Sequence, residues 1–370
     1  MPISTQASIL SYNSVMKRPY VMSFMAIDSI GQISIKTTIT DSLRPERDSL
    51  NPQATSPIQS IGFMKSSEFR MKVVGISDEN DEIFSKDYES DSYGSFDIKI
   101  PNTIGGRSIK AIQIYELSYY EGIQLLLGSF LPFHINEPKK IIVCDFDKTL
   151  VDTKFSSAKE VYYSLKTPLT EFPNIEGSID LLKQHTDEGF QPFILSASPH
   201  FYEGALRDWF YQNKIYAGNL LLKDYRTIFS LRDGLLTTKD MKSQGFYKLN
   251  QLVNVLLMTG VPNELVLIGD GFESDSFIYL CLYSILVDRT DPWALWNKIK
   301  KDKSFKLTSK QDSQFLSKFY QLSELSKKNP NIDIKIYIRS NKEIFEKAKN
   351  QSFKLKFIEK NKSVIHHYLA

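Results

Sequence analysis

The sequence predicts two fold types in succession: an all-β sandwich-like N-terminal domain, then an α/β domain built on a mostly parallel sheet. Up to about residue 130, short β-branched and aromatic runs are separated by turn residues, a pattern typical of a β-sandwich. Beyond residue 138, strand-like runs alternate with helix-length amphipathic segments, which predicts a parallel sheet with helices on both faces. We expect a β domain over 1–137, an α/β domain over 138–292 and a basic α/β extension over 293–370.

Six short runs are predicted as the strands of the N-terminal domain. They are Tyr20–Ala26, Gln32–Thr38, Phe69–Ile76, Phe96–Ile100, Ile109–Leu117 and Ile123–Leu127. The polar, aperiodic residues before them predict an unpaired arm, and Leu43–Ile61, rich in Pro, Ser, Asn and Gln, predicts a long loop. The stretch Ser90–Pro101 resembles the Asp-x-x-Gly-x-Phe turn of small immunoglobulin-like or transthyretin-like modules.

Strands and helices alternate through the rest of the chain. The predicted strands of the α/β domain are Ile141–Val143, Phe193–Leu195, Leu265–Ile268 and Ser284–Val287, with a β-like region over Asn219–Ser230. Its predicted helices are Ser156–Leu165, Ser178–Glu188, Tyr202–Gln212, Phe246–Met258 and Asp275–Leu282. The extension adds helices at Trp293–Lys300, Asp312–Lys327 and Lys342–Lys349, and strands at Ile332–Ile338 and Phe353–Phe357. The pattern leaves open whether this extension continues the sheet or packs separately.

The composition is that of an ordinary globular protein, with 42% hydrophobic and 24% charged residues. No run approaches the roughly 18 apolar residues that predict a membrane span, and the first residues lack the basic-then-apolar pattern of a secretory signal. Cys144 and Cys281 each lie in an apolar run without metal-ligand spacing. Buried free thiols fit a reducing compartment, so we expect a cytoplasmic protein, with peripheral membrane attachment as an additional hypothesis.

Charge is distributed unevenly along the chain. The net charge is +3, but residues 296–370 hold 18 Lys and Arg against 7 Asp and Glu. That excess of +11 leaves −8 on residues 1–295. A basic segment on an acidic body suits a peripheral contact with anionic membrane lipids, although a Lys-rich solvated face is the plainer interpretation. We expect no nucleic acid partner.

Two carboxylates stand at the end of the first strand of the α/β domain. Asp145 and Asp147 directly follow the apolar run Ile141–Val143 and Cys144. In an open α/β sheet, ligands bind in the crevice beyond the carboxyl ends of the strands. Carboxylates placed there carry a desolvation cost unless a cation or a reaction partner uses them. The pair therefore predicts a functional site rather than a solvated turn.

Further polar residues recur at strand ends and helix starts downstream. They are Thr149, Ser196, Lys248 and the loop Gly269–Asp275. A carboxylate can attack phosphorus, and a second one can move the proton of the leaving oxygen. A hydroxyl and an ammonium can hold phosphoryl oxygens, and a further acidic pair can complete an oxygen site for Mg²⁺. The set therefore predicts phosphoryl transfer.

With these motifs in this order, Lys139 to Arg289 resembles the haloacid dehalogenase superfamily of phosphatases. The resemblance implies an α/β Rossmann-like domain, with Asp145 as nucleophile and Asp147 as general acid/base. It implies that substrate phosphate is bound by Thr149, Ser196, Ala197 and Lys248. It also implies that Mg²⁺ is held by Asp145, Asp147, Asp270 and Asp275.

A narrower resemblance involves Leu195-Ser-Ala-Ser-Pro199, the loop Gly269–Asp275 and the β-rich N-terminal half. These features are similar to the phosphatidate phosphatase catalytic-domain family of the yeast actin-patch type, which has bacterial members and is lipin-related in chemistry. The resemblance implies lipid metabolism, namely hydrolysis of phosphatidate to diacylglycerol. The spacing between the motifs leaves room for a flap but not for a large cap domain, which favours a bulky substrate.

Two other functions remain open. The same chemistry could act on a soluble or macromolecular phosphoester, or the chain could be a non-catalytic binding protein on an inactive phosphatase fold. Secondary candidates have two interpretations each. His200 either touches substrate or is a surface histidine, the interpretation we favour. Lys223, Asp224 and Arg226 either line the rim of the site or form a solvated turn, and Glu273 could reach the metal ion through water.

Overall fold

The structure is a computed structural model of the 370-residue chain. It describes residues 18–41, 56–58, 67–118, 121–153, 158–216, 218–223, 244–271, 274–302, 304–305, 307–340, 357 and 360–368. The predicted N-terminal arm, most of the loop Leu43–Ile61, the helix Lys342–Lys349 and most of the strand Phe353–Phe357 lie outside these residues.

Ten strands occupy the described N-terminal residues. They are β1 (Tyr20–Ser29), β2 (Gln32–Thr40), β3 (Arg70–Ile76), β4 (Glu82–Glu89), β5 (Ser95–Pro101), β6 (Thr103–Ile104), β7 (Arg107–Ser108), β8 (Ala111–Glu116), β9 (Leu125–Phe130) and β10 (Phe133–His134). Two four-stranded sheets, in the orders β10-β1-β2-β5 and β4-β3-β8-β9, contain most of them. Apart from the parallel β1–β10 pair, neighbouring strands in these two sheets are antiparallel.

Alternating side chains of the two sheets form one apolar core. Ile33 and Ile35 of β2 lie in the same buried cluster as Val73 of β3 and Ile112 and Ile114 of β8. This period of two is what a strand with one buried face requires. The sequence does not predict β4, because Glu82–Glu89 is an edge strand with no fully buried side chain. Charged residues on such an edge oppose pairing with other chains.

Six parallel strands form the sheet of the α/β part. They are β11 (Lys140–Asp145), β12 (Gln191–Pro199), β13 (Asn219–Lys223), β14 (Glu264–Asp270), β15 (Asp333–Arg339) and β16 (Ile365–Tyr368). Their order is β13-β12-β11-β14-β15-β16, and every neighbouring pair is parallel. The order therefore reverses between β11 and β14, the position at which open α/β sheets bind ligands.

Helices cover both faces of this sheet. They are α1 (Ala158–Lys166), α2 (Glu176–Asp187), α3 (Glu203–Gln212), α4 (Gly245–Thr259), α5 (Asp275–Leu286), α6 (Pro292–Ile299) and α7 (Ser309–Lys328). Val143 of β11 joins the core cluster that contains α4, α5 and α7 residues, whereas Cys144 joins the cluster that contains α2 and α3 residues. Within the described chain, no helix has the length and apolar character that a bilayer span needs.

The structure corrects one predicted strand and shows how the C-terminal extension is attached. The predicted strand Ser284–Val287 is wrong, because α5 continues through Leu286. Nearly every side chain of α5 is buried, and a continuous apolar run does not reveal its period. The question about the extension has an answer: β15 pairs with β14 over its whole length, and β16 pairs with β15. Of the β-like region Asn219–Ser230, only β13 lies within the described residues.

Candidate active site

Asp145 and Asp270 end the two central strands of the parallel sheet. Strands β11 and β14 run side by side in register up to the pair Cys144 and Ile268. Each carboxylate therefore leaves the sheet at its carboxyl edge, on either side of the point where the strand order reverses. Both side chains are fully buried. The site predicted from the sequence thus lies where the topology favours ligand binding.

Three buried carboxylates meet at this edge. One oxygen from each of Asp145, Asp270 and Asp275 lies within 4.8 Å of the others. Asp275 begins α5, and its Oδ2 accepts a hydrogen bond of 3.2 Å from the backbone N of Asp270. Carboxylate oxygens are the ligands that hard divalent cations prefer. The donor set therefore fits a divalent metal ion such as Mg²⁺.

Lys248 supplies positive charge to the same cluster. Its side chain is 2% exposed, and its Nζ lies 2.8 Å from Oδ1 of Asp145 and 2.7 Å from Oδ1 of Asp275. The lysine is in the first turn of α4, so the helix places its ammonium group over the end of the sheet. This ammonium offsets part of the negative charge of the three carboxylates, and a divalent cation would offset more of it.

Neighbouring groups respond to this negative charge. Burial, together with the charges of Asp145 and Asp275, raises the pKa of the Cys144 thiol well above its usual value. Burial and the same two carboxylates also raise the pKa of the Tyr279 hydroxyl, which donates a hydrogen bond of 2.9 Å to the carbonyl of Ile268. Both groups are therefore neutral at physiological pH.

Gly269 is required by the close packing of this cluster. A Cβ atom there would lie 2.6 Å from Oδ2 of Asp275 and 2.8 Å from the hydroxyl of Tyr279. Such distances are shorter than real Cβ contacts, so any side chain would displace the carboxylate. The absence of a side chain at this position lets Asp275 approach the end of β14.

Asp147 lies beside the carboxylate trio but is not part of it among the described residues. Its Oδ2 accepts hydrogen bonds from Oγ of Ser196 (2.8 Å) and Oγ of Ser198 (3.0 Å). Its Oδ1 accepts one of 3.1 Å from Oγ1 of Thr153. Three hydroxyl donors thus fix the orientation of this carboxylate. Asp145 therefore contacts the ammonium group of Lys248, whereas Asp147 accepts hydrogen bonds from hydroxyl groups.

The residues predicted to hold phosphate surround both aspartates. The Thr149 hydroxyl donates a hydrogen bond of 3.1 Å to Oδ2 of Asp145. Ser196, besides donating to Asp147, accepts a hydrogen bond of 3.0 Å from the backbone N of Ser198. Ala197 lies between these serines in β12 and is 5% exposed. The structure therefore brings every predicted site residue to the carboxyl edge of the sheet.

The secondary candidates differ from one another. The preference for His200 as a surface histidine is wrong, since the side chain is 7% exposed. It lines a cavity of about 520 Å³ between β13 and α3 on one side and the sheet that contains β1, β2 and β5 on the other. Lys223 is also buried, with its Nζ 5.9 Å from the ring centroid of Tyr247. Asp224, Arg226 and Glu273 lie outside the described residues.

Ser198 and Thr153 are contacts of the site that the sequence alone does not single out. Both donate to Asp147. Ser198 has a recognisable signal, because it repeats the hydroxyl of Ser196 two positions later in Leu195-Ser-Ala-Ser-Pro199. Thr153 has none, because its approach to Asp147 depends on the turn that follows β11, where Lys148 has a left-handed φ of 60°.

A family comparison covers the same segment as the site. Residues 140–291 match the model of the catalytic domain of phosphatidate phosphatase APP1. The match spans less than half of the 370-residue chain and supports a phosphatase enzyme. The matched segment contains Asp145, Asp147, Ser196, Lys248 and Asp270, so every motif described above falls inside it. It ends before α6 and therefore leaves out β15 and β16.

Other comparisons add no further argument. No curated protein matches the chain. Solved structures with weak similarity include a β-glucuronidase of Parabacteroides merdae (11% identity, TM-score 0.25, covering 88% of this chain and 34% of that one). They also include a β-glucuronidase of Bacteroides uniformis (8% identity, TM-score 0.22, covering 89% of this chain and 34% of that one). A third is a putative β-galactosidase from Bacteroides fragilis (8% identity, TM-score 0.26, covering 95% of this chain and 54% of that one). The chain spans only about a third to a half of their lengths, and TM-scores this low carry no inference about fold or function.

Proposed function

We propose that the chain is a Mg²⁺-dependent phosphatase of the haloacid dehalogenase superfamily, with a Rossmann-like catalytic domain, that hydrolyses phosphatidate to diacylglycerol through an aspartyl-phosphate intermediate. The observation that carries the proposal is the buried contact of Asp145 with Lys248 beside Asp270 and Asp275. The proposal is also supported by the match of residues 140–291 to the model of a phosphatidate phosphatase catalytic domain.

Asp145 is the nucleophile of the proposed reaction. One carboxylate oxygen attacks phosphorus, the bond from phosphorus to the leaving oxygen breaks, and the phosphoryl group becomes an acyl phosphate on Asp145. Water then attacks that phosphorus, which releases inorganic phosphate and restores the carboxylate. Burial at the end of β11 favours this role, because few waters compete for the attacking oxygen.

Asp147 carries the proton. It protonates the leaving alkoxide in the first step and accepts a proton from the attacking water in the second. Its three hydroxyl partners, from Ser196, Ser198 and Thr153, hold the carboxyl group in one orientation. Because both steps use the same group, the proton taken from water is returned to the leaving group of the next cycle.

The remaining residues bind the phosphoryl group and balance its charge. A divalent cation held by Asp145, Asp270 and Asp275 would supply positive charge against the phosphoryl oxygens; the sequence-based resemblance adds Asp147 to its ligands. Lys248, whose ammonium already contacts Asp145, donates to the phosphoryl group. We assign the other phosphate contacts to Thr149, Ser196 and the main chain at Ala197.

The proposed substrate requires access to a membrane surface. We propose that the protein is cytoplasmic and that the basic segment 296–370 contacts anionic lipid head groups peripherally. Phosphatidate itself is anionic, so such a surface would also raise the local concentration of substrate. A soluble or macromolecular phosphoester is the second candidate substrate, and it needs no such contact.

The test is a substrate panel with and without Mg²⁺. Phosphatidate in phosphatidylcholine vesicles is compared with soluble phosphomonoesters, using wild type, Asp145→Asn and the control Asp180→Asn, which changes an exposed carboxylate of α2. We expect Mg²⁺-dependent release of diacylglycerol by wild type and by the control only. BeF₃⁻, which mimics a phosphoryl group on a carboxylate, should likewise bind to wild type and to the control but not to Asp145→Asn.

Two results would contradict the proposal at different levels. Turnover retained in Asp145→Asn would contradict the aspartyl-phosphate mechanism. Activity on soluble esters without release of diacylglycerol would keep the mechanism and replace the substrate. A non-catalytic binding role would require that no phosphoester in the panel be hydrolysed.

A further inference from the structure

Arg339 connects the C-terminal segment to the candidate active site. It is the last residue of β15 and pairs in register with Asp270, the last residue of β14. The position lies outside the segment 140–291 that matches the phosphatase domain. Parallel pairing nevertheless brings Arg339 to the same edge of the sheet as Asp145 and Asp270.

The side chain of Arg339 holds the loop that follows β11. Its Nη1 donates a hydrogen bond of 2.8 Å to the carbonyl oxygen of Lys148, the residue between Asp147 and Thr149. Lys148 has a φ of 60°, a conformation that a non-glycine residue keeps only when its surroundings impose it. A charged donor on its carbonyl, with the 2.8 Å bond from its own N to the carbonyl of Val151, supplies that restraint.

The main chain of Arg339 holds the loop that follows β14. Its carbonyl oxygen accepts a hydrogen bond of 2.8 Å from the backbone N of Gly271, the residue after Asp270. A Cβ atom at Gly271 would lie 2.9 Å from that oxygen, so the contact depends on the glycine. One residue therefore binds the loop of Asp147 and Thr149 with its side chain and the loop of Asp270 with its backbone.

We propose that Arg339 is a positioning residue that sets the separation of these two loops and thereby completes the divalent-cation site of the phosphatase domain. The site is then incomplete without the C-terminal segment. The effect on catalysis rests on the proposed function, whereas the effect on cation binding depends only on the carboxylate trio. Removing the guanidinium should loosen the loop after β11 and raise the cost of bringing Asp145 and Asp270 together around a cation.

The test uses the full chain with Arg339→Met, Arg339→Lys and a control on the same strand. Methionine keeps much of the aliphatic length of arginine but cannot donate a hydrogen bond. Lysine can still donate one to the carbonyl oxygen of Lys148. The control is Lys335→Met, since Lys335 lies on β15 with a side chain that is 42% exposed. Two readouts are measured: the affinity for Mg²⁺ alone by calorimetry, and kcat and KM for p-nitrophenyl phosphate.

We expect Arg339→Met to weaken Mg²⁺ binding and to lower kcat by about 10- to 100-fold each, the usual effect of losing an outer partner of a metal site. KM should stay within about threefold, because we assign the guanidinium to the Lys148 carbonyl rather than to substrate. Arg339→Lys should recover part of both losses, and Lys335→Met should match wild type. Should Arg339→Met fail to fold, Arg339→Lys and Gly271→Ala test the two contacts separately, and a loss of Mg²⁺ affinity in Gly271→Ala supports the proposal.

Three outcomes would overturn the inference. They are wild-type Mg²⁺ affinity in folded Arg339→Met, a change in KM alone, or lower thermal stability with unchanged kcat and Mg²⁺ affinity. Failure of the proposed function is a separate result: wild type would then hydrolyse no phosphomonoester. In that case the Mg²⁺ titrations would still decide whether Arg339 positions the carboxylates.

Discussion

The ammonium group of Lys248 lies 2.8 Å from Oδ1 of Asp145, and both side chains are buried at the carboxyl edge of the parallel sheet. This pair joins β11 of the parallel sheet to α4, about one hundred residues later in the chain. Within the cluster it partly offsets the repulsion among three carboxylates. We therefore expect stability, cation binding and turnover to depend together on this side chain.

Replacing Lys248 by Met should destabilise the metal-free protein by about 3–5 kcal/mol, because it removes the buried cation that contacts Asp145 and Asp275. Mg²⁺ should raise the melting temperature of this variant more than that of wild type, since the ion replaces the lost charge. Thermal unfolding with and without Mg²⁺ measures both effects.

The matched control for that substitution is Lys318→Met, because the Lys318 ammonium donates to the amide oxygens of Asn250 and Asn254 rather than to carboxylates. Its response to Mg²⁺ should equal that of wild type. An equal Mg²⁺ response in Lys248→Met and wild type would show that Lys248 is not coupled to the cation site.

Asp147→Asn should separate the two chemical steps. An alkyl phosphate needs a protonated leaving group, so its hydrolysis should fall by about 10²- to 10⁴-fold. The p-nitrophenolate of a nitrophenyl ester leaves without that proton, so the first step should persist. Rapid-mixing kinetics should then show a burst of about one equivalent of nitrophenolate, followed by slow turnover. Equal losses on both substrates, without a burst, would exclude Asp147 as the acid.

Gly269→Ala should impair cation binding through a purely steric effect. The new Cβ would lie 2.6 Å from Oδ2 of Asp275, so the carboxylate must move away from Asp145 and Asp270. The control is Gly218→Ala, where a Cβ atom would meet no neighbour within 4 Å. Calorimetry with Mg²⁺ should show weaker binding only in Gly269→Ala. Unchanged affinity in that variant would mean that Asp275 is not needed for the site.

The two cysteines should be unreactive in the folded protein. Both are fully buried, and burial next to Asp145 and Asp275 raises the pKa of the Cys144 thiol. A pH of 8 is below the raised pKa of this thiol. The thiol therefore stays protonated and is a poor nucleophile. A colorimetric disulfide reagent should therefore modify both cysteines only after addition of denaturant. Prompt labelling of native protein would contradict the burial of these thiols.

The strands and motifs of the α/β part of the chain are largely predictable from local pattern. The apolar run before Asp145 and the alternation of strands with helices are strong signals, because burial on both faces selects apolar side chains. The pattern fails at Ser284–Val287, where α5 is buried on nearly all sides and its period disappears. It also fails at β4, whose polar edge position leaves no alternation to detect.

By itself, the sequence determined which residue types stand at strand ends and helix starts, and so the chemistry that Asp145, Asp147, Ser196, Lys248 and Asp270 can perform. Only the tertiary structure decided how they group. It placed Asp145 with Lys248 in an ionic cluster and Asp147 among hydroxyls, and it joined Arg339 to the loop after β11. The physical reason is that local sequence encodes strands and helices, whereas strand order and register bring distant residues within a hydrogen-bond length.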